Sequence, residues 1–72
     1  MTPAQCRAAR ALLGLPRPEL AKLAVMPVSL IADFEAGVST ARATDINAMK
    51  WVLKCAGVEF IGESGVNLKG AN

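Results

Sequence analysis

The chain has 72 residues, with eight basic against six acidic side chains, no histidine and a formal charge of +2. So short a chain has room for one small domain and no enzyme-sized pocket, and a hydrophobic content of 53% excludes intrinsic disorder. The longest uncharged run, Leu23 to Ala32, is about half of the roughly 20 residues that a membrane-spanning helix needs, so no membrane partner is expected.

The start, Met1-Thr2-Pro3-Ala4-Gln5, lacks the charged region and apolar block of a signal peptide, and Arg7 and Arg10 interrupt the next stretch. Cys6 and Cys55 lie far apart, without the dense spacing of a disulfide framework, and with no histidine or second cysteine pair no zinc site is expected. These features predict a cytoplasmic protein with reduced thiols, no metal and no cofactor. A single core in so small a chain supplies only about 3–5 kcal/mol, which makes self-association an expectation from size alone.

The first predicted helix runs from an N-cap at Thr2 to Leu13, with Pro3 at its first position and Gly14 as its stop. Its inward stripe is Cys6, Ala9, Arg10 and Leu13, and an arginine on that stripe needs a partner because an unpaired buried guanidinium is costly. A second helix begins near Pro16 and reaches about Ala24, with Leu20, Leu23 and Ala24 as its apolar positions. Met26-Pro27 breaks the chain, and a third helix runs from Pro27 to Ala36 before Gly37 ends it. Ile31, Phe34 and Glu35 share its inner face. Glu35 is the expected partner of Arg10, since both lie on stripes that must otherwise be apolar.

After a turn over residues 37–43, a fourth helix is expected from an N-cap at Thr44 to Ala56, with Gly57 as its stop. It carries two apolar stripes, Ile46, Met49, Leu53 and Ala56, then Ala48, Trp51, Val52 and Cys55, leaving Asn47, Lys50 and Lys54 as its polar face. Cys6 and Cys55 are both expected to be buried. The last segment reads as a hairpin around Gly62-Glu63-Ser64-Gly65. A three-residue loop with Gly65 in a bulge puts Val58, Phe60, Val66 and Leu68 on one face, available to cover the second stripe within one chain or across a dimer. Trp51, Val52, Phe60 and Leu68 are therefore the expected dimer or hairpin contacts. Gly70-Ala71-Asn72 is expected to fray. The predicted fold is all-α, four short helices over residues 1–57 with a small C-terminal β-hairpin and tail over residues 58–72.

Leu12-Leu13-Gly14-Leu15, Glu19-Leu20-Ala21, then Ile31, Phe34-Glu35 and Gly37 set two short helices around a tight turn. This pattern resembles the Xre-type (phage lambda repressor-like) helix-turn-helix family over about Gln5 to Arg42, and Arg10 and Glu35 occupy that family's positions for an ion pair between helices one and three. Phe60-Ile61 after Ala56-Gly57-Val58-Glu59 also resembles the tail of short bacterial members. The resemblance implies a homodimeric transcriptional regulator, a repressor that binds double-stranded DNA at an inverted repeat with helix three in the major groove. By position it implies Val28, Ser29 and Asp33 as reading residues, with Arg17 and Arg42 beside the phosphates. The chain departs from the family where Val25 replaces a turn glycine, Pro27 a Ser or Thr cap, and Ala41 a frequent proline.

Two other readings bear on these residues. Arg17 alternatively is an exposed charge held near Glu19. Helix three is so apolar that its face also fits a protein-interaction module of antitoxin or anti-activator type, docking through Met26, Val28 and Leu30. Catalysis is not expected, because there is no His or Tyr, no serine beside a base and no glycine-rich phosphate loop.

Overall fold

The computed structural model describes residues 1–38 and 40–70. Four helices, α1 (Pro3–Leu13), α2 (Arg17–Ala24), α3 (Val28–Glu35) and α4 (Ala43–Cys55), precede an antiparallel pair, β1 (Val58–Ile61) and β2 (Gly65–Leu68). No helix among the described residues is long and apolar enough to cross a membrane. Ala71 and Asn72, expected to fray, lie outside the described residues, as does Ser39 in the turn before α4.

Local chemistry accounts for the ends of α1. Thr2 Oγ1 accepts from the Gln5 amide at 3.2 Å while Gln5 Oε1 accepts from the Thr2 amide at 3.0 Å, so each residue satisfies a free donor of the other. Gly14 ends the helix in the left-handed region at φ 61°. Helix α4 begins earlier than the sequence suggests: Arg42, not Thr44, is its N-cap, because the Asp45 carboxylate reaches back to accept from the Arg42 amide at 3.0 Å. An acid in that first turn also suits the helix dipole.

The core consists of Cys6 and Ala9 from α1, Leu20 and Ala21 from α2, Ile31 and Phe34 from α3, Met49 and Leu53 from α4, and Val58 from β1. Leu23, one of the expected apolar positions of α2, is 58% exposed, because the inner face of α2 runs through Leu20 and Ala21 and leaves Leu23 on its flank. Cys55 is exposed for the same reason, since Met49 and Leu53 take the inner face of α4, while Ala56, on their stripe, is exposed because it is the C-cap, past the end of the helix.

The hairpin has the expected odd register, with Val58 opposite Leu68 and Phe60 opposite Val66. Its special glycine is not Gly65. Gly62 takes the left-handed conformation at φ 61°, while Gly65 pairs with Ile61 so closely that a Cβ there would lie 2.8 Å from the Ile61 carbonyl oxygen. Phe60, Val66 and Leu68 pack against the core instead of covering the second stripe of α4. The buried Gln5 explains the placement: its Nε2 donates to the Gly62 and Gly65 carbonyls at 2.9 and 3.0 Å, and Thr2 Oγ1 donates to the Glu63 carbonyl at 2.9 Å. With its oxygen and both amide hydrogens used, Gln5 is satisfied in the interior and ties the hairpin tip to the start of α1.

Between α2 and α3 the chain turns through Val25, the one non-glycine residue with positive φ among the described residues (φ 55°, ψ 58°). The Val25 and Met26 amides donate back to the Lys22 and Ala21 carbonyls at 3.3 and 3.0 Å, which closes the end of α2. A β-branched side chain in this region is strained by about 1–2 kcal/mol. Val25 is 89% exposed, so its side chain recovers little by packing. Val25→Gly is therefore expected to stabilise the fold by about 1 kcal/mol, the strain relief exceeding the added unfolded-chain entropy, and to raise the thermal midpoint by about 4–8 °C. A midpoint equal to or below that of the parent would show that the turn carries no strain.

Candidate functional site

Glu35, the last residue of α3, carries more side-chain hydrogen bonds than any other residue among those described. Its carboxylate is fully buried and accepts from Arg10 Nε at 2.6 Å and Arg10 Nη2 at 2.7 Å, a side-on pairing of guanidinium with carboxylate. Arg17 Nε donates to Oε1 at 2.9 Å and the Cys6 thiol donates to Oε2 at 3.1 Å. Arg7 Nη1 donates to the Glu35 main-chain carbonyl, which caps the end of α3, and Arg10 Nη1 donates to the Leu15 carbonyl at 3.2 Å. The anticipated pair of Arg10 and Glu35 is thus one part of a larger cluster that holds α1, the start of α2 and the end of α3 together.

Arg17 is not held at Glu19. Because Pro16 sets α2 to begin at residue 17, the Arg17 side chain comes off the first position of the helix and reaches the end of α3. Sequence reasoning misses Cys6 and Arg7 as partners of Glu35. Cys6 lies one turn before Arg10 on the same stripe of α1, a spacing that contains the signal. For Arg17 no such signal exists, since its partner depends on how α2 lies against α3.

Burial works to raise the Glu35 pKa, but hydrogen bonds from Arg10, Cys6 and Arg17, with the Arg10 charge, lower it from 4.5 to about 2. Burial, then the hydrogen bond to Glu35, pushes the Cys6 thiol up from 9.0 to about 12, while the bond to Glu35 raises the Arg10 pKa. Carboxylate and guanidinium therefore keep their charges and the thiol keeps its proton at neutral pH.

The cluster leaves the opposite end of α3 outward. Val28 is 44% exposed and Ser29 is exposed in its first turn; one turn further, Asp33 is half-buried and its Oδ2 accepts from Thr40 Oγ1 at 3.4 Å. Ser29 and Asp33 share a stripe of α3 by their spacing, and Val28 stands beside Ser29 in the first turn, off that stripe. Neither α2 nor α3 has a side-chain cap, Pro16 and Pro27 standing at the two N-cap positions. Arg42 is exposed at the start of α4. The Arg17 side chain is 44% exposed, with only Nε bound to protein among the described residues.

On another side, Leu23, Trp51, Val52, Cys55 and Ala56 line an apolar concavity of about 370 Å³ between α2 and α4. Trp51 is 67% exposed there, uncovered by the hairpin, whose Phe60 and Leu68 lie against the core. Met26 packs on the core and Leu30 is half-buried, so the apolar surface around the α3 start is reduced to Val25 and Val28.

No protein-family model matches the sequence, and no curated protein compared with it matches.

Two measurements test the cluster. Glu35 binds its proton more weakly folded than unfolded, so its stabilisation is complete well above pH 4.5 and declines as the pH falls toward 2. The unfolding free energy should fall by about 2 kcal/mol from this group between neutral pH and about pH 3. Glu35→Ala, which strands the arginine charges, should cost about 3–5 kcal/mol at neutral pH and remove that part of the acid dependence. An alanine variant with the parental midpoint and the same acid slope would refute the buried cluster. In thiol titration of the native protein, exposed Cys55 should react and Cys6 should react only on unfolding. Equal rates for the two thiols would contradict the bond from Cys6 to Glu35.

Proposed function

We propose that this chain is a small helix-turn-helix regulator that binds double-stranded DNA through α3, acting as a homodimeric repressor that occludes polymerase at an inverted repeat. The observation that carries this reading is the α2–α3 unit. Its turn takes a left-handed residue at position 25, as the resembled family's turn glycine would, and the Glu35 cluster holds the inner end of α3 so that Val28 and Ser29 face outward at the other end. A recognition helix needs this polarity, with one end buried and immobile and the first turn free to enter a major groove.

The named side chains have suitable chemistry. Ser29 can donate or accept at a base edge and Val28 can contact a thymine methyl, while Asp33 can only accept, from cytosine. Arg17, steadied through Nε, keeps its terminal nitrogens for phosphate, and Arg42 is exposed at the N-cap of α4. A second copy packed on the face of Leu23 and Trp51 would complete the homodimer and provide the pair of reading helices that a two-fold site requires.

The exposure of Val25 and Val28 favours a second reading, in which the same end of α3 grips another protein. Selection from a random duplex pool followed by fluorescence anisotropy separates the two. The DNA reading expects a two-fold symmetric site, a base preference altered by Ser29→Ala, and a salt slope that flattens by about one unit for Arg17→Ala. A folded protein that binds no duplex even at low salt would overturn the DNA reading in favour of protein docking.

A further inference from the structure

Six of the eight cationic side chains of this protein fall into two groups with different fates. Arg7, Arg10 and Arg17 surround Glu35 and donate to its carboxylate and carbonyl, Arg10 also to the Leu15 carbonyl. Lys50, Lys54 and Lys69 line an open cleft of about 310 Å³ between α4 and the hairpin, together with Val58, Glu59 and Phe60. None of these lysines is in an ion pair, for both ion pairs among the described residues are made to Glu35. The remaining charges, Lys22 and Arg42 against Glu19, Asp33, Asp45 and Glu63, are acidic in sum. The lysine cleft is thus a net-positive region in which no ammonium group is paired with an internal carboxylate.

The cleft is built by elements that hold their spacing. Lys50 and Lys54 stand one turn apart on α4, which places two like charges side by side at the cleft. Lys50 Nζ lies 5.5 Å from the centre of the Phe60 ring, which holds the ammonium over the half-buried aromatic floor. Lys69 is brought to the same cleft by its amide, which donates to the Gly57 carbonyl at 2.6 Å directly after α4. Glu59 is the carboxylate that an incoming anion must avoid.

We propose that this cleft is a phosphate-binding site, serving as a second backbone contact for nucleic acid outside α3. Lysine ammonium groups bind phosphate as point charges, without the fixed fork that carboxylate recognition uses, and three of them around one open cleft match a multiply charged phosphate ligand. The nucleic-acid role rests on the DNA reading above, whereas the phosphate chemistry stands apart from it.

The test uses the full chain, its variant Lys50→Gln/Lys54→Gln/Lys69→Gln and the opposite variant Glu59→Gln, each shown by circular dichroism to be folded. In one arm, anisotropy of a labelled mixed-sequence duplex is followed against salt; in the other, amide chemical shifts are followed during titration with inorganic pyrophosphate. The expected result is at least tenfold weaker duplex binding by the triple variant, with the salt slope reduced by about two to three units, and tighter binding by Glu59→Gln. Pyrophosphate should shift the amides of residues 50, 54, 60 and 69 in the parent and not in the triple variant. Pyrophosphate binding without duplex binding would keep the phosphate site, assign it to a free phosphate ligand and overturn the DNA reading. Duplex binding that Arg17→Ala weakens and the triple variant leaves unchanged, with no pyrophosphate shift, would overturn the cleft and keep that reading. No response in either arm would overturn both.

Discussion

A fully buried carboxylate is the constraint on which the rest of this small fold depends. Glu35 ends α3 inside the protein, where an isolated charge would be prohibitive, and its oxygens are satisfied by Arg10, Arg17 and Cys6. Those partners come from α1 and the first residue of α2, so satisfying one side chain sets the positions of three helices. The balance between burial and these hydrogen bonds also leaves the carboxylate ionised and the thiol protonated, so the cluster is electrically static near neutral pH.

Fixing the inner end of α3 has a cost at its outer end. To bring α2 and α3 into place the chain turns through Val25 in a conformation that suits glycine, and α3 then starts from Pro27 without a side-chain cap. Cohesion elsewhere offsets this strain. Gln5 does for the hairpin what Glu35 does for the helices, a buried polar group with every donor and acceptor used, which joins the first turn of α1 to the hairpin tip almost sixty residues away. Strain of the kind at Val25 persists where the surrounding structure over-determines the backbone, and here it lies next to the exposed first turn of α3.

The same arrangement separates the charges. Arg7, Arg10 and Arg17, with their forked donors, are drawn to the carboxylate and carbonyl of Glu35, while Lys50, Lys54 and Lys69 stay at the surface of α4 and the hairpin. The apolar face of Leu23 and Trp51 lies on yet another side, since the hairpin is held by Gln5 and cannot reach it. One small core thus presents three chemically distinct outer surfaces: the start of α3, the lysine cleft and the tryptophan face.

Helix limits were legible from the sequence to within a residue or two, because Pro3, Gly14, Pro16, Pro27, Gly37 and Gly57 act through their own backbone conformations and Thr2 through a bond to the first turn, so none needs a distant partner. Ile31, Phe34 and Glu35 on one face, and the pairing of Arg10 with Glu35, were legible too, since a charge on an apolar stripe demands its opposite. The odd hairpin register followed from alternation, which must keep Val58, Phe60, Val66 and Leu68 together. Tertiary structure alone decided that Arg17 joins Glu35, that Gln5 holds the hairpin away from Trp51, that Gly62 and not Gly65 makes the left-handed turn, and that Cys55 and Leu23 remain outside. Each of these depends on which surfaces meet after the helices dock. Spacing along a chain states which residues share a face; only the packed structure states what that face finds opposite it.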